Sequence, residues 1–268
     1  MNIAFWGSTP GKSAVSSNML AIAVYASIRY KIELNVMQAQ YSTSRLEDSF
    51  MPISSMICMK EDFAYSRREG IDELIDSICF NSAEIFFESA LISIKNTYMY
   101  YLPSTSEPTE ELFERECEKN SVRLMELINR YDKPNLIDCR DGSGCLSKNM
   151  MNNCDLLVFN MEQSLHSIPK VIFENKELME KSVFLIGRYD EASRYNIRNI
   201  RRKYHIDEER IAVIPYNIQF KDSVCEGKIV EYLSKNINCD KDSYNYYFIS
   251  QLDNAVKMLF RKVGIGVK

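Results

Sequence analysis

The apolar positions of this chain change period repeatedly from one end to the other. Ile3–Trp6 is a short continuous apolar run, which reads as a strand buried on both faces. From about Ala14 to Ile28 the period lengthens, and Val15, Met19, Ile22, Ala23 and Ala26 share one helical face. Glu33–Met37 reads as a second strand. Residues 44–95 are mostly helical in pattern, with Gly70 and Asn81 as breaks. Thr97–Leu102 is rich in β-formers and stops at Pro103, as a third strand would. Pro108 suits the first turn of a helix that runs to about Tyr131, with Glu110 and Glu111 at its positive end. Strands then follow at Asn135–Cys139, Leu156–Asn160, Val183–Gly187 and Ile211–Ile214, alternating with helices over 162–178 and 191–204. Two further helices, about 222–235 and 244–263, close the chain.

This alternation predicts an α/β fold: a mostly parallel, doubly wound sheet with helices on both faces, since each parallel crossover needs a connecting helix. Residues 1–268 read as a single domain, with no linker, internal repeat or low-complexity segment. Ligands in such sheets bind at the carboxyl ends of the strands.

Composition narrows the function more than the fold. Hydrophobic residues make up 46% and charged residues 26%, enough apolar surface for a large core. A net charge of −4 argues against a molecule that attracts nucleic acid as a whole, so DNA or anionic lipid would need a local basic patch. The start of the chain lacks the basic, long apolar pattern of a secretory signal, and no run approaches a membrane span; the expectation is a cytoplasmic protein. Eight cysteines include no C-x-x-C pair and accompany only two histidines, so zinc spacing is absent and the thiols read as small core or surface residues.

Candidate chemistry begins at Gly7-Ser8-Thr9-Pro10-Gly11-Lys12-Ser13, between the first strand and the first helix. That context gives a phosphate-binding loop its meaning. Backbone N–H groups near Gly11–Ser13 and Ala14 would face phosphate at the helix N-terminus, Lys12 would reach the terminal phosphates, and the Ser13 hydroxyl would help hold Mg²⁺. The usual pattern places a glycine five residues before Gly11, and here that residue is Trp6. The plainer alternative is a glycine-rich turn that only starts a helix. Placement directly after a buried N-terminal strand favours ATP.

With these residues the chain resembles the ParA/MinD group of deviant-Walker ATPases. Leu136-Ile137-Asp138-Cys139-Arg140-Asp141-Gly142 resembles the group's Walker B and switch II segment, and Cys154-Asp155-Leu156-Leu157-Val158 its following strand. Leu185-Ile186-Gly187-Arg188 falls where the family carries an Asn-Arg pair beside the base, and Ile214-Pro215-Tyr216-Asn217 resembles the turn that closes on adenine. The resemblance implies ATP and Mg²⁺ as ligands, with Asp138 a partner of Mg²⁺ or its water, and a homodimer. A strand-end carboxylate capping the next turn is the plainer reading of Asp138. Three positions depart from the family pattern. Its signature lysine falls at Gly7, its water-orienting acid at Gln38 with Gln40 beside it, and its base-recognition asparagine at Gly187. Gln38 can orient a water but cannot take its proton, which implies slow or absent hydrolysis.

Within the group, the helix-rich region before Leu102-Pro103-Ser104 is similar to the TadZ/CpaE branch, tied to tight-adherence pilus assembly and polar positioning. That branch implies a pilus-assembly or secretion ATPase partner and recruitment to the membrane or cell pole. Two surfaces add alternatives. Arg194, Arg198, Arg201 and Arg202 follow helical spacing and would grip DNA phosphates non-specifically, although a solvated face has the same pattern. Leu252, Val256, Leu259, Phe260 and Val263, flanked by Lys257, Arg261 and Lys262, make an amphipathic last helix. Packing on the sheet is favoured over peripheral membrane contact. Tyr244, Tyr246, Tyr247 and Phe248 just before it offer area for docking or for a partner.

Overall fold

The computed structural model describes residues 1–9, 11–51, 69–80, 87–140, 142–164 and 167–267. Apolar runs with no polar face must be buried on both sides, and five of the eight described strands obey this. β1 (Asn2–Trp6), β2 (Leu34–Gln38), β5 (Asn135–Asp138), β6 (Leu156–Met161) and β8 (Ile211–Pro215) are buried at every residue. With β3 (Ile92–Ser93), β4 (Met99–Tyr101) and β7 (Ser182–Tyr189) they form one sheet, in the order β3-β4-β2-β5-β1-β6-β7-β8. Only the β3–β4 pair at one edge is antiparallel among these pairings.

The helices α1 (Val15–Tyr30), α2 (Ile71–Cys79), α3 (Glu110–Arg130), α4 (Cys145–Asn153), α5 (Ser167–Glu174), α6 (Ile197–Tyr204), α7 (Ile218–Cys225), α8 (Ile229–Asn236) and α9 (Tyr246–Lys262) cover the sheet. The strand period of two sends Ile3 and Phe5 into one core, shared with α1, α8 and α9. It sends Ala4 and Trp6 into the other, shared with α2 to α6. The α/β expectation holds, as do all the strands read from the sequence. β1 lies at the middle of the sheet, so the loop that follows it emerges among the ends of β5, β6 and β7.

The structure differs from the sequence expectations in identifiable places. The stretch 44–95 yields, in its described parts, 3-10 turns at Leu46–Ser49 and Phe87–Ala90, α2, and the unexpected edge strand β3. The remainder of that expectation lies outside the described residues. α3 is capped by Thr109, whose side chain accepts from Leu112 N, so Pro108 stands before the cap instead of inside the first turn. The helix expected over 222–235 is two helices, because Gly227 takes a left-handed φ of 69° and ends α7. The helices expected over 162–178 and 191–204 are shorter, starting at Ser167 and Ile197. α9 buries Leu252, Val256, Leu259 and Phe260 in the core, the packing expected of it. Among the described residues no helix is long and apolar enough to cross a membrane.

One polar feature runs through this apolar sheet. Asn2, Asn35 and Asn135 occupy a single rung across β1, β5 and β2. Asn35 Nδ2 donates to Asn135 Oδ1 (3.0 Å), Asn135 Nδ2 to Asn2 Oδ1 (2.9 Å), and Asn2 Nδ2 to Asn129 Oδ1 of α3 (2.7 Å). All three strand amides are essentially inaccessible to water.

Candidate nucleotide-binding site

The site is built on the carboxyl ends of β1, β2, β5, β7 and β8. β5 ends at Asp138, fully buried and level with Gln38 of β2 and Phe5 of β1. A carboxylate with no exposure needs donors. Ser16 Oγ donates to Asp138 Oδ2 from the first turn of α1, and Arg140 N donates to Oδ1 at 2.9 Å.

The loop between β1 and α1 is closed by Gly7 N donating to Arg140 O (2.7 Å) and Lys12 N to Thr9 O (3.2 Å). Gly7 has no room for a side chain: a Cβ there would stand 2.3 Å from Ser13 Oγ. Gly11 takes φ 75° with open space around it, a conformation that favours glycine. Ala14 takes a left-handed φ of 53°, and α1 begins immediately after it. No side chain caps α1 and no acid lies in its first turn. The N–H groups of its first turn are therefore directed at whatever occupies the loop.

The predicted loop residues divide. Lys12 is exposed beside the helix terminus. Ser13 is buried, with its hydroxyl turned to Thr9 O (3.3 Å). The hydroxyl that meets Asp138 is that of Ser16, three residues further on. Where the chain turns into helix decides this, and the helix starts at Val15. The residue ahead of that hydroxyl, which carries the lysine in the usual strand–loop–helix pattern, is the buried Val15. Pro10 lies outside the described residues; Ser8 and Thr9 are half-buried, their hydroxyls 3.4 Å apart.

Gln38 is buried and accepts from Ser104 Oγ (3.2 Å). The same hydroxyl lies 3.1 Å from Glu47 Oε2, so a buried carboxyl stands one residue away from Gln38. Burial holds the Glu47 carboxyl above its usual range, against the opposing hydrogen bonds from Ser104. The sequence reading missed Glu47, Ser104 and Ser16. None of them was given a role at the site: Ser16 reaches Asp138 from the first turn of α1, and Ser104, just beyond β4, meets Glu47 and Gln38 only after folding.

On the far side of α1, Ala14, Ser17, Asn18, Arg188, Ile214, Pro215, Tyr216 and Asn217 line a cavity of about 360 Å³ with residues of α7. The structure thus brings the predicted Ala14, Arg188, Pro215 and Tyr216 together. Arg188 is exposed with φ 50°, and Tyr216 is 53% exposed at the rim. The arginines fall apart as a set. Arg201 pairs with Glu208 (2.9 Å), while Arg194, Arg198 and Arg202 are exposed.

No family model matches the sequence, and no curated relative does. Solved structures do. A ParA family ATPase from Chlorobium tepidum superposes with a TM-score of 0.66 at 12% identity, over 95% of this chain and 98% of that one. The fold is that of the ParA/MinD ATPases. MinD from Pyrococcus horikoshii, solved with Mg-ADP, gives 0.66 at 14% identity, over 98% and 99%. A plasmid partition protein from Borrelia burgdorferi bound to AMPPNP gives 0.61 at 14%, over 97% and 98%. The ParA/MinD fold accounts for the sheet order and for a strand–loop–helix unit at its centre.

Proposed function

We propose that this chain binds ATP with Mg²⁺ at the β1–α1 loop and acts as a localisation or assembly factor with slow or absent hydrolysis. One observation carries the reading: an uncapped, acid-free helix N-terminus lies beside a buried carboxylate, Asp138, paired with the half-buried hydroxyl of Ser16. Those oxygen donors suit Mg²⁺ or its water, a hard cation that prefers oxygen. The first-turn N–H groups of α1 and the exposed Lys12 suit phosphates. Ser13 would join the metal only by turning its hydroxyl from Thr9 O. Arg188, Pro215 and Tyr216 frame the cavity for a base. Similar structures carrying Mg-ADP and AMPPNP support the ligand class.

When bound, ATP·Mg²⁺ supplies a transferable phosphoryl group. Hydrolysis would need a positioned water and stabilisation of charge on that group. Gln38 offers hydrogen bonds without a basic carboxylate, Gly7 offers no charge, and Val15 occupies the helix-start position of the usual lysine. Losing charge stabilisation of this kind costs on the order of 10³-fold in rate. A long-lived ATP complex, working as a homodimer that recruits a pilus-assembly or secretion ATPase at the membrane or cell pole, is the function that fits. The single α/β domain of residues 1–268 would present the loop to the partner subunit.

Three measurements test this. Calorimetry on Lys12→Ala is expected to show at least a tenfold weaker ATP complex in a protein with unchanged circular dichroism. An unchanged affinity would remove Lys12 from the site. Single-turnover assays are expected to show slow or no phosphate release, and brisk multiple turnover would overturn the slow-hydrolysis reading. Sedimentation with and without ATP·Mg²⁺ is expected to show a dimer; a monomer under every condition counts against it. A DNA-partitioning role is the second reading, favoured by the exposure of Arg194, Arg198 and Arg202. Salt-dependent DNA retention lost on triple alanine substitution would support it.

A further inference from the structure

Position 187 carries no side chain, and the reason lies on α1. A Cβ at Gly187 would come within 2.5 Å of Asn18 Nδ2 and 2.9 Å of Ser13 O. The Asn18 side chain therefore fills the space that a residue at 187 would use at the end of β7. Asn18 is 2% exposed and lines the base cavity.

Its amide is keyed in one orientation. Nδ2 donates to Ser13 O (3.2 Å) and to Asn160 Oδ1 (3.1 Å). Asn160 is itself fixed, because its Nδ2 donates to Trp6 O (3.4 Å) and Val158 O (3.3 Å). Turning the Asn18 amide over would set its carbonyl oxygen against two acceptors, one a main-chain carbonyl. Both Nδ2 hydrogens are consumed, and among the described residues no donor is recorded on Asn18 Oδ1. What Asn18 has left to give the cavity is an acceptor.

Resting on the nucleotide reading above, we propose that Asn18 is the base-selecting residue of this chain. It holds the loop carbonyl of Ser13 with its amide nitrogen and reads a 6-amino purine with its carbonyl oxygen. An exocyclic amine donates to Oδ1, whereas a 6-oxo purine presents a second acceptor to an amide that cannot turn over. One side chain thereby couples the shape of the phosphate loop to the identity of the base, a task a bulkier residue at 187 would block.

The probes are ATP and inosine triphosphate, which differ at the 6-position, titrated into the full chain with Mg²⁺. The parent is expected to prefer ATP on the order of tenfold, the worth of one polar contact made against one refused. Asn18→Ala is expected to lose most of that preference by weakening ATP binding more than inosine triphosphate binding. Asn160→Leu leaves Asn18 in place but releases its amide, and is expected to narrow the preference too. A folded Asn18→Ala variant with the parental ratio overturns the proposal. Should that variant fail to fold, the parent still decides: equal affinity for the two nucleotides overturns the inference and leaves the nucleotide site standing. A parent that binds neither sinks the site and this inference together.

Discussion

Two helices in this molecule begin in opposite ways. α3 starts with a side-chain cap and a pair of acids: Thr109 accepts from Leu112 N, and Glu110 and Glu111 face the positive end of the dipole. α1 starts with neither. Its preceding residue is a left-handed alanine, it has no side-chain cap, and its first turn reads Val-Ser-Ser-Asn. Yet α1 is a central helix, with residues 19–26 entirely buried. The chain holds α1 in place by packing and leaves its N-terminus unsatisfied, whereas α3, which carries exposed charge along its length, is satisfied locally. An end left open on so deeply buried a helix supports the ligand proposed for it above.

The contrast can be broken deliberately. The largest effect is expected from Asp138→Ala, which strips the acceptor from Ser16 and from Arg140 N. Stranding two half-buried donors costs at most about 1–3 kcal/mol each. The melting temperature should fall by several degrees, and the Mg²⁺ enhancement of ATP binding should vanish. Retained Mg²⁺ dependence would place the metal elsewhere. Next comes Ser17→Glu, which gives α1 the acid that α3 already has. A first-turn acid stabilises a helix by about 0.3–1 kcal/mol, but here it also repels phosphate, so stability should rise slightly while ATP affinity falls at least tenfold. Stability and affinity moving in the same direction would argue that the open terminus has no ligand.

Thr109→Ala sharpens the comparison from the other side. Loss of a cap costs about 1 kcal/mol, roughly 2–4 °C in a chain of this size, and ATP affinity should not change. An affinity change there would mean that α3 communicates with the site. The smallest effect belongs to Ala14→Gly. Relief of the left-handed alanine outweighs the added chain entropy by about 0.5 kcal/mol, a gain visible in denaturant melts.

Much of this was legible in the sequence. The strands announced themselves because a doubly covered sheet needs continuous apolar runs, and Ile3–Trp6 or Leu156–Asn160 have no other economical reading. Asp138 and the turn at Pro215 drew notice through the resemblance of their segments to a known family, and both stand at strand ends. The register of the loop was not. Gly11-Lys12-Ser13 is the tripeptide a reader looks for, but the helix begins only at Val15, so Ser16 takes the place beside Asp138. Helix starts are usually marked by a cap, and α1 lacks one. Asn18 was hidden for a different reason: its importance follows from the emptiness of Gly187, 169 residues away along the chain and adjacent only after folding. The edge strand β3 was masked by a helical period in the residues around it.

The asparagine rung at the opposite end of the sheet bears on all of this. Asn2, Asn35 and Asn135 each stand three residues before Phe5, Gln38 and Asp138. A strand advances about 3.3 Å per residue and turns its side chains over at every step. If β5 slid by one residue against its neighbours, Asp138 would swing to the other face of the sheet and leave Ser16 behind. An all-apolar sheet tolerates such slippage, because one greasy contact resembles another. Amides sealed from water do not, since each has a partner in only one alignment. The rung acts as a key cut at the far end of the sheet: it contributes nothing to the ligand, and it sets which tooth of β5 arrives at the lock.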